Sequence, residues 1–347
     1  MEITKEIGDR KVEAMSLNNI GIIYGDLGEY SKALEYYRSS LEITKEIGDR
    51  KVEAMSLNNI GIIYGDLGEY SKALEYYRSS LEITKEIGDR KVEAMSLNNI
   101  GIIHGLLGEC SKALDFYQRS LKITEEIGAR KVEAMSFNNI GVIYRILGDY
   151  SKALDFYQRT LKIAEEIGDR PTEAESLVGI GNIFIETREF TSAKKYCTRA
   201  HSLAQEIESR PILAKIYLSF TALYLERNNL VEVKRRLDKI LSFADELSSK
   251  EIKAEGLCLA GRFYTKDQEW NRAKSSFEES ISIFKQIKNI FGFAQVYYYQ
   301  GLMFKESGDE IEAKKSFTAA LTMFKKLGAK AWIEKVTRGG SGNQDIR

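Results

Sequence analysis

The clearest chemical pattern in this sequence is a pair of asparagines that recurs with a 40-residue period: Asn18–Asn19, Asn58–Asn59, Asn98–Asn99 and Asn138–Asn139. A carboxamide donates and accepts hydrogen bonds, so it can pair with the N–H and the C=O of an extended peptide. Asparagine is a middling helix former, so helix propensity does not explain two in one turn. The pairs predict either a ligand-binding surface or hydrogen bonds between neighbouring segments of the chain.

No residue set typical of catalysis or metal binding accompanies these pairs. The sequence has no GxxxxGK[ST], GxSxG or HExxH motif. His104, Cys110 and His201 have no partners at metal-ligand spacing, and Cys197 and Cys258 form no CxxC motif. We therefore predict that the protein is not an enzyme and needs no metal or cofactor.

The composition narrows the class of protein further. The 51 basic and 51 acidic residues give a formal net charge of zero, which argues against a nucleic-acid partner. Two prolines in 347 residues favour an all-helical chain. The start of the chain lacks the apolar stretch of a signal peptide, and no apolar run is long enough to span a membrane. With three cysteines and no disulfide framework, we expect a cytoplasmic protein with no membrane partner.

The asparagine pairs belong to a longer repeat. Residues 2–41 and 42–81 are identical at every position. Eight units follow one another with this same period, aligned on Gly21, Gly61, Gly101, Gly141, Gly181, Thr221, Gly261 and Gly301. A fixed period of this length is the signature of a repeat architecture with one continuous core.

Each unit predicts two helices. Helix A runs over Val12–Leu27, with its packed face at Ala14, Leu17, Ile20, Gly21, Tyr24 and Leu27. Helix B runs over Tyr30–Ile47, with buried positions at Ala33, Tyr37, Leu41 and Ile47. Gly28 and Gly48 end the helices, and Asp49 caps the next one. Because the connections are short, consecutive helices must lie antiparallel.

These residues carry a family resemblance. The positions Leu17, Gly21, Tyr24, Gly28, Ala33 and Tyr37 resemble the tetratricopeptide repeat signature. The 40-residue period is similar to the subclass found in kinesin light chains, in the LGN/Pins adaptors and in bacterial signalling arrays. The resemblance implies an all-α protein, a right-handed α-solenoid whose A helices line a concave groove.

The repeat and the composition also predict the domain boundaries. Residues 1–9 would be part of helix B of a preceding repeat, and residues 10–328 would be eight units forming one solenoid. Residues 329–338 would form a capping helix that contains Trp332, and residues 339–347 would form a disordered tail.

The side of helix A opposite its packed face, here called the inner face, comprises Met15, Asn18, Asn19, Ile22 and Asp26. In peptide-binding tetratricopeptide families an asparagine at the position of Asn19 commonly holds the ligand backbone. The resemblance therefore implies that role for Asn19, Asn59, Asn99 and Asn139. The predicted groove also includes Asn18, Asn58, Asn98 and Asn138, together with Asn182 of the fifth unit. The alternative is that these amides join neighbouring A helices.

The asparagine pattern ends at the fifth unit, where Val178 and Gly179 replace the pair. Later units place apolar and aromatic residues there, ending in Tyr298 and Tyr299, and add charges at Glu175, Lys215, Arg262 and Lys266. We predict a change from an amide-lined groove to one in which Tyr298 and Tyr299 bind an apolar anchor. The alternative is that both tyrosines pack against Trp332.

The favoured function is an interaction scaffold that binds a peptide or helix of a partner protein in the concave groove. A second hypothesis is the regulatory array of a larger bacterial-type signalling protein. The ending LGAKAWIEKV, which resembles such arrays, favours it. A third is self-assembly into a homo-oligomer, because identical repeats expose identical edges at the ends of the solenoid.

Overall fold

The computed structural model describes residues 9–340, and all of the secondary structure in this range is helical. The 17 helices are α1 (Arg10–Asp26), α2 (Tyr30–Ile47), α3 (Arg50–Asp66), α4 (Tyr70–Ile87), α5 (Arg90–Leu106), α6 (Cys110–Ile127), α7 (Arg130–Leu147), α8 (Tyr150–Ile167), α9 (Arg170–Glu186), α10 (Phe190–Glu206), α11 (Arg210–Glu226), α12 (Leu230–Glu246), α13 (Lys250–Lys266), α14 (Trp270–Gln286), α15 (Ile290–Glu306), α16 (Glu310–Leu327) and α17 (Lys330–Gly340).

Odd-numbered helices from α1 to α15 are the A helices, and each is followed by a B helix. The predicted all-α solenoid of 40-residue helix pairs is therefore confirmed. The last helix, α17, ends at Gly340, two residues beyond the predicted end of the cap. Residues 1–8 and 341–347, on which the predicted partial helix and most of the predicted tail fall, lie outside the described residues.

The helix boundaries follow from local chemistry. The Asp49 carboxylate accepts a hydrogen bond of 3.1 Å from the backbone N–H of Val52, which satisfies a free donor in the first turn of α3. Gly48 has φ 73°, the left-handed conformation that ends a helix at little cost for glycine. Both predicted roles are confirmed.

Glycine also determines how closely the two helices of a unit approach each other. A Cβ atom on Gly61 would lie 2.6 Å from Cε1 of Tyr77, so only glycine leaves room for this ring. From Ala33, the buried stripe of α2 continues through Tyr37, Ser40 and Thr44 at helical spacing. The prediction that Leu27 and Ile47 are buried is wrong, because these residues at the ends of their helices are 63% and 39% exposed.

The described chain divides into two compact parts, each of which contains several repeats. They are called unit 1, which comprises 9–105 and 111–136, and unit 2, which comprises 106–110 and 137–340. In unit 2, the turn before α6 and the turn before α8 contact the last two helices. A Cβ atom on Gly108 would lie 2.7 Å from Leu327, and one on Gly148 would lie 2.5 Å from the Cβ of Ala331. These contacts join repeats that are not neighbours, which a simple linear stack does not provide. No helix among the described residues is long and apolar enough to cross a membrane.

Candidate functional site

The asparagines of unit 1 fall into two rows with different environments. Asn18, Asn58 and Asn98 are buried. In the second row Asn19 is exposed, and Asn59 and Asn99 are half-buried. In unit 2, Asn138 and Asn139 are both half-buried. In the first three pairs the two adjacent asparagines therefore have different environments, although their side chains are identical.

The buried row joins neighbouring A helices. The Asn18 Oδ1 accepts hydrogen bonds from the Ser56 hydroxyl at 3.3 Å and from the Asn59 Nδ2 at 3.2 Å. Asn58 repeats this geometry with Ser96 and Asn99, at 3.3 Å in both cases. These contacts fit the alternative in which the amides connect the stack, since an unpaired buried amide would be costly.

A serine pair extends this network to helix B. The Ser40 hydroxyl donates to the Ala14 carbonyl at 2.8 Å and lies 3.0 Å from the Ser56 hydroxyl. Ser80 makes the same contacts with Ala54 and Ser96. The first repeat is therefore joined to the second, and the second to the third, by buried polar groups that run from helix B through serine to asparagine.

The half-buried row keeps unused hydrogen-bonding capacity. Asn59 and Asn99 each use one N–H, and the hydrogen bonds of the described residues leave the second N–H and the Oδ1 without a protein partner. Partial exposure makes these atoms accessible from the inner face. One donor and one acceptor on each side chain suit an extended backbone, which offers the complementary pair.

In unit 2 the asparagine pattern ends for a steric reason. A Cβ atom on Gly179 would lie 2.6 Å from Cε1 of Tyr157, so the ring occupies the place of the amide. Val178 and Leu218, at the first position of the former pair in the fifth and sixth repeats, are both buried. Asn182 remains half-buried on this face, and its Oδ1 accepts a hydrogen bond of 2.7 Å from Ser219.

Charged side chains occupy the inner face of unit 2 as ion pairs between successive A helices. Lys215 of α11 contacts Glu175 of α9 at 2.9 Å, and Arg145 of α7 contacts Glu186 of α9 at 2.7 Å. Burial alone would lower the pKa of Arg145, but the adjacent Glu186 carboxylate raises it overall, so the guanidinium stays charged.

A third pair lies at the end of this row, where the Arg262 guanidinium contacts Glu226 at 2.7 Å. The same guanidinium lies 4.1 Å from the ring centre of Tyr299. Lys266, the other charge predicted for this face, is exposed. Sequence reasoning identified Glu175, Lys215 and Arg262, but the partners Glu186 and Glu226 were not predicted.

The two C-terminal tyrosines contact the last helix. The ring centres of Tyr298 and Tyr299 lie 5.8 Å and 6.3 Å from that of Trp332. Tyr298 is buried, and Tyr299 is half-buried. The Lys335 ammonium lies 4.4 Å from the Trp332 ring, a cation–π contact within the same helix. This packing is what the alternative for Tyr298 and Tyr299 predicts.

The histidines and cysteines have packing environments. His104 stacks on Phe116 with ring centres 5.3 Å apart, and burial raises the pKa of the Cys110 thiol. Burial, followed by the charge of Arg236, lowers the pKa of His201. Within residues 9–340, no group of three or more His, Cys, Asp or Glu residues could hold a metal ion.

Solved structures with the same fold include several Rap proteins. The Rap conjugation gene regulator of plasmid pLS20, in complex with the Phr* peptide, has a TM-score of 0.65 and 16% identity over 82% of this chain and 78% of its own. A Rap protein complexed with Competence and Sporulation Factor has a TM-score of 0.62 and 12% identity over 94% and 97%. Aspartyl phosphate phosphatase F from Bacillus subtilis has a TM-score of 0.62 and 17% identity over 83% and 75%.

At these identities the similarity shows the fold alone. No curated protein sequence matches this chain. The family model described as "Tetratricopeptide repeat" matches residues 12–86, 52–126 and 132–196, which together cover more than half of the chain. The matched segments contain the glycine and tyrosine positions that bring helices A and B together. This chain therefore belongs to the tetratricopeptide repeat family.

Proposed function

We propose that this protein binds an extended segment of a partner protein along the inner faces of its A helices. The observation that carries the proposal is the unused capacity of Asn59 and Asn99. Each keeps an Oδ1 acceptor and one N–H on a half-buried, accessible side chain. The pair lies on successive A helices, so a peptide crossing them meets two backbone-binding amides in turn.

The similar structures support a peptide or protein segment as the class of ligand. Two of them are complexes, one with the Phr* peptide and one with Competence and Sporulation Factor. Aspartyl phosphate phosphatase F has the same fold and carries the name of an enzyme. The proposal for this chain contains no catalytic step, and the absence of enzymatic activity and the cytoplasmic location stay predictions.

The proposal is tested by selecting displayed random dodecapeptides on the wild-type chain and on two double variants. Asn59→Ala with Asn99→Ala should lose most of the selected peptides. It removes groups that face the ligand and costs about 1 kcal/mol for each hydrogen bond to the buried row. Asn58→Ala with Asn98→Ala is the matched control. It should lower the urea midpoint more, because the Asn58 Oδ1 accepts two hydrogen bonds, of which the one from Ser96 is buried.

Retention of the peptides by Asn59→Ala with Asn99→Ala, together with a lowered midpoint, would show that both rows are structural. Failure of the wild-type chain to select any peptide would refute the proposed function itself.

A second candidate function is association between copies of this chain. Ile23 of α1 is 59% exposed, whereas Ile63, at the same position of the identical helix α3, is 2% exposed. In α3 this apolar position lies against the preceding A helix, α1, whereas on α1 the same position is exposed, and a second copy of the chain would cover it. Light scattering over a hundredfold range of protein concentration tests this candidate, and a constant monomer mass would refute it.

A further inference from the structure

One carboxylate on the inner face of unit 2 forms no ion pair among the described residues. One position of the repeat forms a row on successive A helices, at 40-residue steps. It is occupied by Met135, Glu175, Lys215, Glu255 and Gln295. Glu175 and Lys215 pair with each other at 2.9 Å. Among the described residues, Glu255 forms neither a hydrogen bond nor an ion pair within 4.0 Å. Glu255 is therefore a carboxylate of this row without an ion-pair partner, whereas Glu175 has one.

The nearby cations are already paired. Arg145 binds Glu186, Lys215 binds Glu175, and Arg262 binds Glu226. Lys266 lies on the same helix as Glu255, but it is the last residue of that helix. At about 1.5 Å per residue the two positions are roughly 16 Å apart along the axis, too far for a strong interaction. The surface around Glu255 carries positive and negative charges, but no protein cation fully balances the charge of Glu255.

The environment of Glu255 also opposes its charge. Solvent reaches the side chain, but the surrounding protein limits hydration of the carboxylate. This desolvation, followed by repulsion from Glu251 one turn earlier, raises the pKa of Glu255 to about 7. Arg145 of α7 and Lys215 of α11 face the same carboxylate, and their positive charges lower its pKa. A cation of a ligand would therefore bind favourably to this accessible carboxylate, whose negative charge the protein cations balance only in part.

We infer that Glu255 selects partner segments that carry a basic side chain, and that its carboxylate accepts hydrogen bonds from a lysine ammonium or an arginine guanidinium. This inference rests on the proposed function and specifies the chemistry of the partner on the inner face of unit 2. The neighbouring Lys215–Glu175 pair remains intact in this arrangement, because the ligand cation takes the place that no protein cation fills. A charge-assisted hydrogen bond at a partly desolvated site favours the charged partner over a neutral one.

The experiment compares displayed random dodecapeptides selected on the wild-type chain with those selected on Glu255→Gln. Glutamine keeps the shape of the side chain and removes the charge. Peptides selected on the wild type should contain a recurrent Lys or Arg, and this enrichment should disappear on Glu255→Gln. A synthetic peptide from the wild-type pool should bind Glu255→Gln about tenfold more weakly, as expected for a hydrogen bond to a charged group.

Two further variants separate the specific contact from general electrostatics. Glu278→Gln removes an exposed negative charge on helix B of unit 2, and it should leave the selected sequences unchanged. Glu255→Lys should move the selected sequences towards Asp and Glu, which a purely structural residue would not do. Urea unfolding of each variant establishes that it is folded before selection.

The possible results have separate meanings. Peptides selected without a basic residue, or equal Lys and Arg enrichment on Glu255→Gln, would overturn the inference while leaving peptide binding intact. If the wild-type chain selects no peptide, both the proposed function and the inference fail. Binding of a lysine peptide should also weaken between pH 8 and pH 6, as Glu255 takes up a proton while Arg145 and Lys215 stay charged.

Discussion

Two isoleucines at equivalent positions of identical repeats allow a test of what stacking contributes to stability. Helices α1 and α3 have the same 17-residue sequence, and Ile23 and Ile63 occupy the same place in it. Ile23 is 59% exposed and Ile63 is 2% exposed. The perturbation is Ile63→Ala in one variant and Ile23→Ala in the other. Because the local sequence is shared, the change in helix propensity is the same in both variants and cancels.

The expected magnitude follows from burial. Ile63 lies against α1, where a Cβ atom added to Gly25 would be 3.2 Å from its Cδ1. Truncating a fully buried isoleucine to alanine costs about 2–5 kcal/mol, from lost burial and the cavity left behind. More than half of the Ile23 surface is already in water, so Ile23→Ala should cost about 1 kcal/mol or less. The two variants should differ by at least about 2 kcal/mol.

The assay is urea unfolding followed by far-ultraviolet circular dichroism, with each variant compared with the wild-type chain at the same protein concentration. Ile63→Ala should lower the midpoint clearly without changing the slope, and Ile23→Ala should shift it slightly. Equal losses of stability in the two variants would refute the reasoning, because Ile23 would then be buried in solution to the same extent as Ile63. A concentration-dependent midpoint for the wild type would then identify a second copy as the cover.

Three further predictions concern the closing contact, the carboxylate and the repeat. Gly148→Ala should lower the urea midpoint more than Gly168→Ala. Both glycines have positive φ, but only at Gly148 would a Cβ lie 2.8 Å from the backbone N of Ala331. Equal shifts of the midpoint would contradict this prediction. Because folding raises the pKa of Glu255 to about 7, its contribution to stability is full below its ordinary pKa and is lost as the pH rises through about 7. Glu255→Gln should therefore gain stability relative to the wild type between pH 5 and pH 8, and a difference that does not change with pH would count against the raised pKa. Deleting residues 42–81 should leave a shorter, cooperatively unfolding helical protein, because stacked repeats depend on their neighbours, and loss of the cooperative transition in circular dichroism would contradict this.

Much of the fold was predictable because its determinants are local and repeated. The 40-residue period, the left-handed glycine at Gly48 and the capping carboxylate of Asp49 each depend on short stretches of sequence. The glycine and tyrosine positions seen at Gly61 and Tyr77 specify how the two helices of one unit pack. Predicting them required only the pattern of side chains and the geometry of a helix.

The candidate site was predictable only in part. The sequence located the asparagine pairs and the charges Glu175, Lys215 and Arg262 on the inner face. It could not show that Asn18 is buried against Ser56, while Asn59 keeps a free acceptor, because this depends on how successive units rotate against each other. Likewise, the sequence could not show that Arg145, from a helix three repeats earlier, faces Glu255, because this depends on the tertiary structure.

The sequence by itself determined the helix pairs, their period and the membership of the tetratricopeptide repeat family, since these depend on local propensity and on spacing within one unit. Tertiary structure alone decided which identical residues differ in environment. Ile23 and Ile63 have the same neighbours in sequence but are exposed and buried, respectively. The contact of Gly148 with Ala331, which belongs to the last helix of the described chain, has no local signal either. Burial and charge compensation depend on what lies on the other side of a surface, and this is specified only by the folded chain.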